Sequence, residues 1–275
     1  MKQWTSLLLT LLANLIYACT PTPEKYTELE NRVVDVVNAQ SVLIQIDHGE
    51  LTIMQSQDSR IRIDGQVLFP DELEYAIGST KEQILVKAVT NHDRSSKVLL
   101  HLTIQVPEQM QVKVETENAF VLAQDYQGDL EVASTAGEIK AERIHGSLIL
   151  RSNRGNITVQ ESSGDISVVG NYGALTVQNV SGETAVSTIM GTVVFDGLIE
   201  AGDTVRLETD HGSVSVNLSN DSALSVQVHS TSGNVDCRLP EITSTTRTCA
   251  GKIDPGGGSL VIRTVSGPVT LQSIP

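Results

Sequence analysis

Acidic residues that follow regularly spaced glycines are the first candidates for a chemical role in this sequence. Asp129, Glu138, Asp165 and Glu183 each come directly after a glycine, and a row of carboxylates could bind calcium. The calcium-binding nonapeptide, however, also needs paired glycines and an aspartate at a fixed offset in every step, and both are missing here. We therefore expect these acids to be solvated turn residues, and we predict no metal site and no cofactor.

The sequence also carries little that points to catalysis. Its six histidines, at positions 48, 92, 101, 145, 211 and 229, show no metal-ligand spacing. No nucleophile elbow, phosphate loop or paired-histidine metal motif is present. Aromatic residues make up only 3% of the chain, which leaves few platforms on which a sugar ring could stack. We predict that the protein is not an enzyme, and a polysaccharide-acting enzyme ranks third among the functions considered.

The first cysteine lies at the end of a targeting segment. Lys2 precedes an apolar run over residues 4–17, which is short for a membrane span but typical of a signal peptide. The run ends in Ile16-Tyr17-Ala18-Cys19, which resembles the bacterial lipobox, although the bulky Tyr17 departs from that pattern. The alternative, cleavage after Ala18 without lipidation, would need a small residue at Ile16. We predict a lipoprotein signal peptide over residues 1–18 and lipidation of Cys19.

A lipidated Cys19 would hold the mature chain on a membrane, since each buried methylene contributes about 0.8 kcal/mol. Thr20 follows the cysteine, where inner-membrane lipoproteins of Gram-negative bacteria usually carry Asp, so this resemblance implies the outer membrane in such a host. Residues 19–32 form the lipidated cysteine and a tether that Pro21 and Pro23 stiffen. The 33 acidic and 19 basic residues give a net charge of -14, which disfavours nucleic acid as a partner.

The other two cysteines are candidates for a disulfide. Cys237 and Cys249 remain as an even pair once Cys19 is lipidated, and an exported protein meets an oxidising compartment. Two free thiols are the alternative. Zinc would need four ligands, and no histidine lies between the two cysteines. We predict a disulfide between Cys237 and Cys249, which would close a short loop around Pro240.

An internal repeat dominates the middle of the chain. Glycine recurs every nine residues, at positions 128, 137, 146, 155, 164, 173, 182 and 191. Two and four places after these glycines come mostly aliphatic pairs, with Thr184/Val186 as the weak member: Leu130/Val132, Ile139/Ala141, Leu148/Leu150, Ile157/Val159, Ile166/Val168, Leu175/Val177 and Val193/Phe195. Alternation with a period of two indicates short strands with one face turned inward.

The structural unit is predicted to contain two nine-residue steps. Two places before glycine, polar residues (Thr135, Asn153, Asn171) alternate with a mostly apolar series (Tyr126, Ile144, Val180) that Ser162 interrupts. Each eighteen-residue coil would give one strand to each of two facing sheets. Asn153 would then lie over Asn171 and form an asparagine ladder.

These patterns predict an all-β, single-chain β-solenoid over residues 33–275. Residues 33–115 show longer, less regular strands, and residues 116–275 hold the regular coils and a cap. A separate N-terminal sandwich is the alternative for the first part. The nine-residue step is lost between Gly191 and Gly212, and the last strands, with Pro268 and Pro275, are expected to cover an open sheet edge.

The chain resembles the DUF4097 family of adhesin-type β-solenoids. The resemblance rests on Leu102-Thr103-Ile104-Gln105-Val106-Pro107, on steps such as Ser163-Gly164-Asp165-Ile166-Ser167-Val168, and on the ending at 260–267. It covers residues 33–275 and implies fold more than function, because no catalytic residues are established for the family.

Two functions fit these patterns. The first is an envelope lipoprotein, anchored through its lipid, that presents the solenoid to an unknown envelope or surface partner. The alternative is a structural scaffold that associates with itself through the solenoid edges.

Overall fold

The computed structural model describes residues 25–90, 99–240, 242–253 and 257–274. Its strands are β1 (Thr27–Glu28), β2 (Arg32–Asp35), β3 (Ser41–Gln55), β4 (Arg60–Leu68), β5 (Leu73–Ser79), β6 (Gln83–Thr90), β7 (Leu99–Val106), β8 (Gln111–Gln127), β9 (Leu130–Ser134), β10 (Ile139–His145), β11 (Leu148–Ser152), β12 (Ile157–Gln160), β13 (Ile166–Gln178), β14 (Glu183–Gly197), β15 (Thr204–His211), β16 (Val214–Ser219), β17 (Leu224–Ser230), β18 (Val235–Arg238), β19 (Thr243–Ser244), β20 (Thr248–Ile253), β21 (Gly258–Ser266) and β22 (Val269–Ile274). Within these residues the one helical element is a 3-10 turn at Pro70–Glu72, and no helix is long and apolar enough to cross a membrane.

The strands form two layers around one hydrophobic cluster, which confirms the all-β, solenoid-like fold. Layer 1 has the strand order β5-β6-β3-β8-β9-β11-β13-β14-β15-β21-β17-β20-β19. In layer 2, β1 and β2 both pair with the same edge of β4. The order then continues as β4-β7-β3-β8-β10-β12-β13-β14-β16-β22-β18. The long strands β3, β8, β13 and β14 bend at a corner and belong to both layers.

The register between neighbouring coils is eighteen residues through the regular part. In layer 1, Leu130 pairs with Leu148 and Leu148 with Ile166, while in layer 2 Ile139 pairs with Ile157 and Ile157 with Leu175. The predicted aliphatic pairs all point inward and are buried, and the weak member Thr184 is buried with them. Ser162 interrupts the apolar corner series without cost, since its hydroxyl donates to the carbonyl of Gln160 and accepts the N–H of Ile144.

The regular glycines exist because adjacent coils touch at the corners. A Cβ on Gly155 would lie 1.9 Å from the carbonyl oxygen of Gly137, one coil earlier. At the opposite corner Gly146 has a φ of +146°, and a Cβ there would lie 2.5 Å from the carbonyl oxygen of Gly128. A side chain at either position would push the coils apart, so the glycine period follows from the stacking distance.

The first part of the chain continues the same two layers. The two halves of β3 pair in parallel with the two halves of β8, from Ser41 opposite Gln111 to Met54 opposite Gln124. The strand β3 therefore forms a complete coil, and its inward residues join the common hydrophobic cluster. The irregularity arises further out, where β4, β5, β1 and β2 pair antiparallel and cover this end of the solenoid.

The loss of the nine-residue step after Gly191 has a simple structural cause. The register from β14 to β15 and β16 is twenty-one residues, as Thr184 pairs with Val205 and Val193 with Val214. The additional residues lie in the connection from β14 to β15, where Ile199 turns inward and is fully buried. The insertion thus lengthens one corner and leaves both layers continuous.

The prediction that the last strands cover an open edge is wrong. Strand β21 lies between β15 and β17, and β22 lies between β16 and β18. Pro268 sits inside the stack, where its carbonyl accepts the N–H of Val214, and Pro275 is outside the described residues. Because Leu260, Ile262, Val269 and Leu271 are all fully buried, this last coil needs neighbours on both sides. The shorter β18, β19 and β20 form the edge instead.

Candidate binding surface

The outward side chains of layer 2 form a mostly uncharged surface across five coils, here called the polar face. Strand alternation turns every second residue outward, and the register aligns these residues in columns along the solenoid. Coil by coil the polar face consists of Arg154, Asn156, Thr158 and Gln160; Tyr172, Ala174, Thr176 and Gln178; Met190, Thr192, Val194 and Asp196; His211, Ser213, Ser215 and Asn217; and Ser266, Pro268, Thr270 and Gln272.

One column of the polar face is a continuous hydrogen-bonded ladder. Gln160 Nε2 donates to Gln178 Oε1 at 2.6 Å, and Gln178 Nε2 donates to Asp196 Oδ2 at 2.9 Å. From the other end, Gln272 Nε2 donates to Asn217 Oδ1 at 2.8 Å, and Asn217 Nδ2 donates to Asp196 Oδ1. An ionised carboxylate only accepts, so Asp196 fixes the direction of both arms.

The ladder leaves hydrogen-bonding capacity at the surface. Each of its four amides uses one N–H within the ladder, and a primary amide has two. The neighbouring column adds the hydroxyls of Thr158, Thr176, Ser215 and Thr270, for which the described part of the chain provides no side-chain hydrogen-bond partner. The polar face therefore offers fixed amide groups in one column and hydroxyl groups, interrupted at Val194, in the column beside it.

A second, shorter ladder lies at the corner that borders the polar face. Asn171 Nδ2 donates to Asn153 Oδ1 at 2.9 Å, which confirms the predicted asparagine ladder. The backbone N–H of Ala174 is bound by Asn156 Oδ1, also at 2.9 Å, so this amide ties two coils together. Beside them Tyr172 is 49% exposed, and Ile189 and Met190 in the next coil are similarly exposed.

The outward side of layer 1 differs because ion pairs cross it. Arg151 lies 2.8 Å from Glu131, and Glu208 lies between Arg206 and Arg263 at 3.7 and 3.6 Å. A hydrogen bond from Gln45, together with one from Lys113, holds the pKa of Glu115 below its ordinary value.

The corner from layer 2 to layer 1 carries a charged column in a strained backbone conformation. Asp125, Arg143, Glu161 and Asn179 have φ values between 50° and 52°, in the left-handed region that disfavours residues with a Cβ. Arg143 binds Asp125 with two hydrogen bonds of 2.6 and 3.0 Å, which lowers the pKa of this carboxyl. The alternating charges along this column stabilise the turn, whereas its left-handed backbone conformation destabilises it.

The four acids that follow glycines are all exposed, and one of them connects neighbouring coils. Asp129 Oδ1 accepts the backbone N–H of Ser147 in the next coil at 3.0 Å. Where the chain is described, no group of three His, Cys, Asp or Glu side chains is arranged to hold a metal ion. Two histidines hydrogen-bond a serine of an adjacent coil, His145 with Ser163 and His211 with Ser266, each at 2.7 Å.

The two distal cysteines form the predicted disulfide, with a Cα–Cα distance of 6.3 Å. Cys237 belongs to β18 in layer 2 and Cys249 to β20 in layer 1, so the bond joins the two layers at the C-terminal end of the core. Cys249 is completely buried. Closing this loop removes about 3 kcal/mol of unfolded-chain freedom in the entropic view. The signal peptide and Cys19 lie outside the described residues.

A depression of the described surface lies at the other end, near β6. It has a volume of about 530 Å³ and is lined by Asp47, Asp71, Glu72, Leu73, Glu74, Lys87, Val89 and Thr90. Lys87 pairs with Glu74 at 2.7 Å, and Asp47 accepts the N–H of Thr90 at 2.9 Å. These contacts tie β5 to β6 and β6 to β3.

The polar face was not predicted from the sequence, although a signal for it exists. Gln160, Gln178 and Asp196 recur at the same eighteen-residue spacing as Asn153 and Asn171. The spacing alone would have identified a second polar column, since stacked amides form ladders in parallel sheets.

A solved structure of similar fold agrees with this architecture. The chain is similar to a proposed adhesin from Bacteroides fragilis, with 10% identity, a TM-score of 0.51, and coverage of 92% of this chain and 99% of that chain. It is also similar to a proposed adhesin from Parabacteroides merdae, with 13% identity, a TM-score of 0.41, and coverage of 92% and 95%. No protein of the curated set matches the chain in sequence. The family model described as Toastrack DUF4097 matches residues 41–272, and the chain therefore belongs to this family.

Proposed function

We propose that this protein is a non-catalytic lipoprotein of the bacterial cell envelope that uses the polar face of its solenoid for binding or adhesion. The polar face carries the proposal, because a surface of five coils with aligned and fixed hydrogen-bonding groups suits a long contact with a partner. The Bacteroides fragilis protein of similar fold is a proposed adhesin, and we extend that role to this chain.

Anchoring completes the proposed role. The lipobox-like Ile16-Tyr17-Ala18-Cys19 would fix the chain to a membrane, and Thr20 favours the outer membrane of a Gram-negative host. The described strands begin at Thr27, inside the segment 19–32 that was predicted to be the tether, so only a short segment would separate the solenoid from the membrane surface.

The alternative of self-association through the edges receives less support from the geometry. The edge strand of layer 1 at the C-terminal end is β19, which has only two residues, and the opposite end is covered by antiparallel β1, β2 and β5. Very short edge strands are one device by which natural sheets avoid edge-to-edge pairing.

The test measures membrane attachment by fractionation and adhesion by the binding of cells to protein-coated beads. Cells that express the protein or its Cys19→Ser variant are fractionated, and purified protein on beads is mixed with intact cells of the same host. We expect Cys19→Ser to move from the membrane to the soluble fraction, and the beads to retain cells. Unchanged fractionation would contradict lipidation, and beads without cells would contradict the adhesive role.

A further inference from the structure

The polar face is nearly uncharged although the protein is strongly acidic. The chain has a net charge of -14, yet only Arg154, Asp196 and His211 on the polar face can carry a charge, and Asp196 is bound by amides on both sides. Polyanions are repelled by the chain as a whole, and a cationic partner would find its carboxylates on layer 1, at the charged corner and on β10 and β18, the strands of layer 2 that flank the polar face. A partner that matches the polar face is therefore uncharged.

We propose that the polar face binds a neutral polysaccharide, laid across the coils along the amide ladder. This inference rests on the proposed binding function and names its ligand class. Neighbouring hydroxyls of a sugar act as donor and acceptor together, as do the spare amide groups of Gln178 and Asn217 and the hydroxyl of Thr176. Because the ladder already fixes these amides, binding costs little side-chain entropy.

Tyr172 adds the apolar contact that sugar rings need. It lies on β13, the strand that also carries Thr176 and Gln178, and about half of its surface is exposed. An exposed tyrosine offers an apolar ring and a polar tip, which suits a ligand with one apolar and one hydroxylated side. Met190, opposite Tyr172 in the next coil, widens this apolar strip.

A peptide partner fits the polar face less well. Strands β12, β13, β14, β16 and β22 each have a neighbour on both sides in layer 2, so no backbone edge is open for an added strand. Tyr172 pairs with Met190, but Val194 lies apart from them beyond Thr192, so the polar face lacks the continuous apolar row that the apolar face of a helix needs.

The test uses native gels of the purified full-length protein, cast with and without a polymer. The neutral polymers are dextran, mannan and hydroxyethyl cellulose, and alginate serves as the anionic control. We expect at least one neutral polymer to retard the protein, and alginate to leave it unretarded. Retardation by none of the neutral polymers would overturn the polysaccharide proposal, and bead capture of cells would still stand as support for the proposed function.

Two matched variants locate the surface. Thr176→Lys and Ser187→Lys each add one positive charge at an outward position of a central strand, the first on the polar face and the second on layer 1. We expect Thr176→Lys to weaken polymer binding about tenfold or more, since the lysine would cover the surface beside the ladder, and Ser187→Lys to bind like the parent protein. Equal losses in both variants, or loss in Thr176→Lys through a new oligomer seen by size exclusion, would overturn the assignment.

Discussion

The two layers share their inner surface and differ in their outer one. Inside, both contribute aliphatic pairs such as Leu148/Leu150 and Ile157/Val159, all buried in one cluster. Outside, layer 1 carries ion pairs such as Arg151 with Glu131, and layer 2 carries the amide ladder that converges on Asp196. The inward-facing residues of each strand therefore specify the fold, and the outward-facing residues are free to differ between the layers.

The largest expected effect comes from placing a charge on the shared inner surface. Ile157→Asp should prevent folding, because a buried carboxylate there has no partner and costs more than about 4 kcal/mol. Circular dichroism and size exclusion of the purified variant measure this. Thr158→Asp, one residue further and outward, is the control and should fold normally. A soluble Ile157→Asp protein with the parent melting temperature would show that the inward assignment is wrong.

A smaller effect on the free energy of unfolding should distinguish the outer surfaces of the two layers. Asp196→Ala leaves the amides of Gln178 and Asn217 without their acceptor, and we expect a loss of about 1–2 kcal/mol in the free energy of unfolding. Arg151→Ala removes a largely exposed ion pair of layer 1 and should cost about 0–1 kcal/mol. Urea denaturation of both variants gives the comparison. Equal losses would mean that the ladder has no special stabilising role.

The smallest expected effect concerns the corner that joins the layers. Glu161 and Asn179 occupy equivalent positions with φ values of 50° and 51°, and asparagine tolerates this conformation better than glutamate. Glu161→Asn should stabilise the protein by about 0.5 kcal/mol, and the reverse exchange Asn179→Glu should destabilise it by a similar amount. Thermal melting detects both shifts. Shifts of the same sign in the two variants would contradict the strain at this corner.

The regular coils could be predicted from the sequence because their stacking leaves a local signature. Each corner admits only glycine at positions such as Gly155, and these glycines mark the period of the repeat. Inward and outward residues must alternate along each strand, so the sequence also identifies the inward residues. The Asn153–Asn171 ladder followed from the same period. The disulfide partners followed from the number of cysteines and from the predicted export of the chain.

The order of the last strands could not be predicted in this way. Val205 pairs with Leu260, fifty-five residues later, and the same Leu260 pairs with Val226 on its other side. Any aliphatic strand of similar length could fill either place, so alternation does not determine the neighbours. The polar face was missed for a different reason, because outward polar residues normally indicate only contact with water.

The insertion of β21 and β22 between earlier coils has a consequence for the order of folding. A chain that emerges amino end first can add coils one after another as far as β16, since each new coil stacks on one that is already present. Strands β17 and β18 then have to wait, because the surface that receives them is made by the last residues of the chain. Losing β21 and β22 would therefore also leave residues 220–257, which contain β17 to β20, without a template, so the loss would exceed the deleted residues themselves.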